Sequence, residues 1–227
     1  MPRRLPKRLR FALPEPSFRT GRSETASDTG SLRGLHLPGF PGSQPCCPLP
    51  LFSRHYLEQN GLLLCNVNPE LPALEDIGAT WQDVTALIDA HAVFTCKAYR
   101  GRTTYLSPEV YGLLQVLKPR KPLPEAAARI YALLEGNAAD TALLKRLSGL
   151  PAKEYQRGFQ FLLQNLWITA VENGSPLNDN WSSFLYGTAA DWAQAACLPP
   201  LPPAPLDRLT EILSRTMTDR QIQALLR

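Results

Sequence analysis

Histidine and cysteine are both sparse in this chain. Three histidines and five cysteines are spread over 227 residues, and Cys46, Cys47, Cys65, Cys96 and Cys197 include no Cys-x-x-Cys pair. Structural zinc draws on four such side chains, commonly in pairs about two to four residues apart. No metal and no cofactor is therefore expected, and the cysteines fit free thiols in a reducing, cytoplasmic setting. Long apolar runs are missing too. Gly61-Leu62-Leu63-Leu64-Cys65 is the best candidate, far short of the ~18 residues that cross a bilayer, so no membrane partner is expected. The chain has no glycine-rich phosphate or dinucleotide loop, no Gly-x-Ser-x-Gly and no His-Glu-x-x-His. Asp83, Asp89 and Glu109 show no pair-like spacing, and His91 with Cys96 reads as a turn histidine and a core thiol. Catalytic residues stay unassigned, with Asp83 the first suspect if there is chemistry.

Basic charge is present but unevenly spread. The chain carries 24 Lys+Arg and 20 Asp+Glu, a formal net charge of +4. Nine of the basic and three of the acidic residues fall in residues 1–54, so that segment holds +6 and the rest −2. The overall isoelectric point is then no argument for nucleic acid, and only local clusters can make one. Nine of the 22 prolines also lie in residues 1–50, a density that removes backbone donors and blocks helix. Residues 1–54 are expected to be a disordered Pro/Arg-rich extension. Its basic, acid-poor opening has the composition of a transit peptide, but the prolines oppose the amphipathic helix such peptides form. No function is assigned to it.

Patterning begins at Tyr56 and defines an α+β unit to Lys121. Glu70 to Ile77 is read as a short helix. Thr80 caps a helix from Trp81 to Ala90, with Asp83 completing a capping box and Trp81, Val84, Leu87 and Ile88 on one stripe. Val93 to Tyr99 and Thr103 to Leu106 are strands about a tight Arg100-Gly101-Arg102 turn, and Ser107-Pro108-Glu109 starts a helix. Lys97, Arg100, Arg102, Lys118, Arg120 and Lys121 share a stretch whose sole acid is Glu109. Arginines beside a glycine at a hairpin tip suit a narrow, strongly negative minor groove.

Residues 122–195 read as a winged helix-turn-helix domain. Glu125 to Glu135 is one helix, Asp140 or Thr141 caps a second through Leu147, and Pro151 opens a third from Ala152 to Leu166. Trp167 to Val171 and a strand around Trp181 to Tyr186 form the wing, reversed at Asn173-Gly174. At about 100° per residue, Tyr155, Phe159, Leu162 and Leu166 make the buried stripe of the third helix. Lys153, Gln156, Arg157, Gln160 and Gln164 lie opposite, with Glu154 off that face. A long-armed, acid-free face is what a major groove accepts, since lysine and arginine meet phosphates or guanine and glutamine can pair with adenine. Lys145 and Arg146 on the second helix would touch the backbone beside it. Trp167, Trp181, Phe184, Tyr186 and Trp192 are expected in the core, with a base stacked on one of them as the rival reading. A proline-rich linker (196–205) and a C-terminal helical hairpin (206–227) follow. The hairpin is expected to dock on the domain, with a protein partner as the alternative.

Three stretches carry a resemblance to a known group: Thr104-Tyr-Leu-Ser-Pro-Glu-Val-Tyr111, Gly158-Phe-Gln-Phe-Leu-Leu-Gln-Asn-Leu-Trp-Ile-Thr-Ala-Val171 and Asn180-Trp-Ser-Ser-Phe-Leu-Tyr-Gly-Thr-Ala-Ala-Asp-Trp192. They resemble the AlkZ-related winged-helix proteins, shorter relatives of the AlkZ/YcaQ DNA glycosylases, over about residues 56–192. The resemblance implies tandem winged helices, a hairpin near the minor groove and, in the glycosylases, a Gln-x-Gln or Gln-x-Asp pair that positions water. The one Gln-x-Gln here, Gln221-Ile-Gln223, lies in the last helix, so no catalytic residue carries over. The fold expected is thus α+β, a winged helix-turn-helix with a second winged-helix-like unit as the larger alternative. The function expected is binding of double-stranded DNA, with a role in DNA repair. A protein-interaction module and an active glycosylase with an unfamiliar motif are the alternatives.

Overall fold

A computed structural model describes residues 51–178 and 181–227, without the side chains of residues 51, 175–178, 181 and 182. The extension read over residues 1–54 lies outside the described residues up to residue 50. Leu51 to Arg54 are helical, so the first described helix begins ahead of Tyr56.

The first half runs α1 (Leu51–Asn60), β1 (Leu62–Leu64), a 3₁₀ turn (Glu75–Ile77), α2 (Trp81–Asp89), β2 (Phe94–Cys96), β3 (Thr104–Leu106) and α3 (Pro108–Leu117). The helix read over Glu70 to Ile77 shrinks to that 3₁₀ turn. The reason is local: Asn68 Oδ1 accepts from the backbone N–H groups of Glu70 and Leu71, which holds this stretch in a side-chain-capped turn. Thr80 and Asp83 close a complete capping box on α2, and Ser107 caps α3 ahead of Pro108. The three strands form an antiparallel sheet in the order β1-β3-β2.

The second half runs α4 (Glu125–Leu134), α5 (Thr141–Ser148), α6 (Ala152–Gln164), β4 (Ile168–Asn178), β5 (Trp181–Thr188) and α7 (Ala189–Ala195). Ala139, between α4 and α5, bridges antiparallel to Tyr186 of β5. The order around the hairpin is therefore Ala139-β5-β4, the same as β1-β3-β2. Both halves place a helix, a strand position, a short helical turn, a longer helix, a β-hairpin and a closing helix in one sequence.

The turns repeat as well. Gly78 ends the 3₁₀ turn and Gly149 ends α5, each in the left-handed region (φ +66° and +61°), and each stands three residues before its long helix begins. That conformation costs an L side chain and suits glycine. Both long helices end alike. Left-handed His91 follows α2 and left-handed Leu166 follows α6. The next residue then donates five back, Ala92 to the Leu87 carbonyl and Trp167 to the Leu162 carbonyl, at 2.9 Å each. Leu166, read as the last of a helical stripe, is thus outside α6, although its side chain is buried.

Each half's hairpin lies against the other half's long helix. In one direction, the Lys97 N–H donates to the Leu163 carbonyl at 3.1 Å, which sets the end of β2 beside α6. In the other, the Asn173 N–H donates to Asp89 Oδ1 at 2.6 Å, and the Phe184 ring lies 4.9 Å from that of Trp81. Between them, the Thr95 N–H of β2 donates to the buried Thr169 Oγ1 of β4 at 2.8 Å. The reversal read at Asn173-Gly174 is corrected: β4 continues to Asn178, and the pair falls where its register with β5 shifts. Gly174 is explained by closeness instead of turning, since an added Cβ would lie 2.6 Å from Ser183 Oγ.

The C-terminal helices α8 (Pro205–Leu213) and α9 (Asp219–Leu226) dock on the first half. Leu209, Ile212, Leu213, Ile222 and Leu225 join the core that holds Leu62, Phe94, Val110 and Trp192. Arg208 Nε donates to Glu109 Oε1 at 2.7 Å, and Lys118 Nζ donates to the Leu225 carbonyl at 2.8 Å. Apart from Leu206, which is 45% exposed, the leucines and isoleucines of α8 and α9 are turned to this core. No described helix is long and apolar enough to cross a membrane.

Candidate nucleic-acid interface

The helix α6 is built for two faces. Tyr155, Gly158, Leu162 and Leu163 are buried, with Gly158 against α4 so closely that an added Cβ would meet the Ala126 carbonyl carbon at 3.0 Å. Phe159 is half-buried, stacked on Tyr155 at 5.7 Å and edge-on to Tyr186 at 4.9 Å. With that side fixed, Lys153, Gln156, Arg157, Gln160 and Gln164 are all exposed. The tail helices dock elsewhere and leave this face open.

The hairpin tip continues the same surface. A Cβ placed on Gly101 would lie 3.4 Å from Gln164 Nε2, so the Arg100–Arg102 turn abuts the C-terminal end of α6. Arg100 and Gly101 both have positive φ (+50° and +71°), and the Arg102 N–H closes the turn on the Tyr99 carbonyl at 2.9 Å. Positive φ at both central residues matches the right-handed twist of paired strands. Arg102 is exposed and available. Arg100 is already occupied. It pairs with Glu70 and sits 5.5 Å from the centre of the Tyr99 ring, while Tyr99 Oη donates to the same carboxylate at 3.0 Å. Glu70 is 30 residues away in sequence, so nothing local betrays this partner.

Two cavities flank the polar face. One, of about 450 Å³, lies between α5, α6, β5 and the end of β2, and brings together Lys97, Lys145, Gln156 and Gln160. The other, of about 360 Å³, is shared by Arg157, Gln160 and Gln164 with Glu154. The acid read as lying off the face thus borders it. Arg146 is exposed on α5 next to Lys145, and both stand in the last turn, where cations suit the helix dipole. Two other basic residues are spoken for. Burial lowers the Lys118 pKa, with Lys121 adding to the effect, and Arg120 lies 4.4 Å from the centre of the Trp167 ring.

The long helix of the first half offers nothing comparable. It has no basic residue between Trp81 and Asp89, and the β4–β5 hairpin packs on it. Asp83, the suspected acid, accepts from the backbone and hydroxyl of Thr80 at 2.7 and 2.9 Å, so its carboxylate serves the cap. Cys96 is fully buried, which pushes its thiol up to about 12, and such a thiol is no nucleophile. Trp192 is in the core, Trp167, Phe184 and Tyr186 are half-buried, and the Trp181 side chain is outside the described residues. Among the described residues, no group of three or more His, Cys, Asp or Glu could hold a metal ion.

Fold and site together define an α+β protein of two like halves in which one long helix keeps an exposed lysine, arginine and glutamine face. No family model matches the chain, and neither a curated protein nor a solved structure does.

Proposed function

We propose that the chain consists of two winged-helix units and binds double-stranded DNA through α6, with Lys145, Arg146 and Arg102 on the flanking phosphates. The observation that carries this reading is the joined surface of α6 and the hairpin tip. Five long polar side chains on one helix face stand beside an exposed arginine turn, the pairing of major-groove helix and backbone contact that helix-turn-helix proteins use. The resemblance to the AlkZ-related proteins agrees with it and adds DNA repair as the setting. Base excision is not part of the proposal, because the acid suspected of activating water caps a helix.

Fluorescence anisotropy of a labelled duplex, titrated at several salt concentrations, tests the reading. Each phosphate contact contributes about −0.9 to the slope of log K against log salt. The Lys153→Ala/Arg157→Ala variant is expected to bind at least tenfold more weakly and to have a slope shallower by about 2. Binding that ignores salt, or that the double variant leaves unchanged, would refute the proposal.

A further inference from the structure

We propose that the cavity between α5, α6, β5 and the end of β2 receives an unpaired nucleobase of the DNA strand held on α6. The inference rests on the DNA-binding reading above and names the kind of DNA preferred. The cavity measures about 450 Å³, within the range of small-ligand sites. Its floor is aromatic: Tyr155, Phe159 and Tyr186 line it and touch one another in series. The floor is also fixed, because Tyr155 Oη donates to the Thr141 carbonyl at 3.1 Å. Burial raises the hydroxyls of Tyr155 and Tyr186 to about 12, so the floor stays uncharged.

The polar lining complements a nucleotide. Gln156 and Gln160 each carry an amide that both donates and accepts, which suits the edge of a base. Lys97 and Lys145 bring two cations where the phosphates on either side of an extruded base would lie, and none of the lining residues is acidic. Gln160 also lines the neighbouring cavity, so it stands on the ridge between the two recesses. A base still in the duplex stack cannot enter a recess beside the helix, whereas one without a partner leaves the stack at small cost.

Two labelled duplexes of equal length and phosphate number separate this from general DNA affinity. One is fully paired, and the other carries a single 2-aminopurine opposite an abasic site. Binding about tenfold tighter to the second is expected, together with a change in 2-aminopurine emission. Phe159→Leu, which removes the ring, and Ala142→Trp, which fills the cavity from the exposed side of α5, should each abolish the preference and leave affinity for the paired duplex unchanged. The second variant keeps the test sound if the first unfolds.

Equal affinity for the two duplexes would overturn the inference and spare the DNA-binding reading. Failure to bind either duplex would overturn that reading itself. A preference that survives both variants would place the unpaired base elsewhere. Binding of free 2-aminopurine nucleoside monophosphate, lost in Phe159→Leu but without any preference between the duplexes, would make the cavity a site for free nucleotides.

Discussion

Glycine at position 158 lets α6 approach α4 closely. A methyl there would lie 3.0 Å from the backbone of Ala126 and Ala127, so the two helices would have to part by a few tenths of an ångström. Overpacking of this kind costs about 1–3 kcal/mol, against a gain in helix propensity of about 1 kcal/mol. Gly158→Ala is therefore expected to destabilise the protein by about 1 kcal/mol, read from the urea midpoint at constant m-value. Arg100 is a second informative residue. Its guanidinium is held by Glu70, in the place a phosphate would take, and both partners are partly exposed, so the pair adds little to stability. Glu70→Gln frees the cation. If α6 and the tip bind DNA together, affinity at low salt should rise about two- to threefold with a slope steeper by about 1, while thermal stability stays near that of the parent.

The elements were legible where their signals are local. Thr80-x-x-Asp83, Ser107-Pro108 and Asp140 each mark a helix start by a side chain reaching the next turn, and the exposed polar face of α6 follows from spacing, while its buried side holds Gly158 and Leu163 besides Tyr155 and Leu162. What lies between elements could not be read in that way. The pairing of Asn173 with Asp89 and that of Arg100 with Glu70 span 84 and 30 residues, and no periodicity encodes them. Asn173-Gly174 shows how a strong turn signal is overridden: the hairpin needs a glycine there for close cross-strand approach, and the strand runs through it. α1 was missed because its apolar face is weak, with only Ser53 and Leu57 buried among its described side chains. The contact between β2 and β4 tests this level of structure. Thr169→Val keeps the shape but leaves the buried Thr95 N–H without its acceptor, at a cost of about 1–3 kcal/mol. Chemical denaturation should show that loss, and Thr169→Ser should recover most of it.

Across the whole molecule, several hydroxyls and one thiol are folded in their neutral form. Burial raises Cys96 from 9.0 to about 12 and Tyr111, Tyr155 and Tyr186 from 10.0 to about 12. A group whose pKa rises on folding stabilises the protein fully below its unfolded value, and that contribution fades as pH climbs through the folded value. The melting temperature should therefore fall between about pH 9 and pH 12, and Cys96→Ala should soften the onset of the fall. Calorimetric scans across that range would show it, and a flat profile would contradict the assignment.

The mutual covering of long helices by hairpins limits what can be done with the parts. A division near Lys121 looks natural from the order of elements, because each side of it has the full layout of one unit. Yet each fragment would be released with a bare strip where its neighbour's strands had been, and the Thr95 amide would face solvent alone. The layout is modular and the packing is not, so neither portion can be lent to another chain, or removed from this one, without taking its partner along.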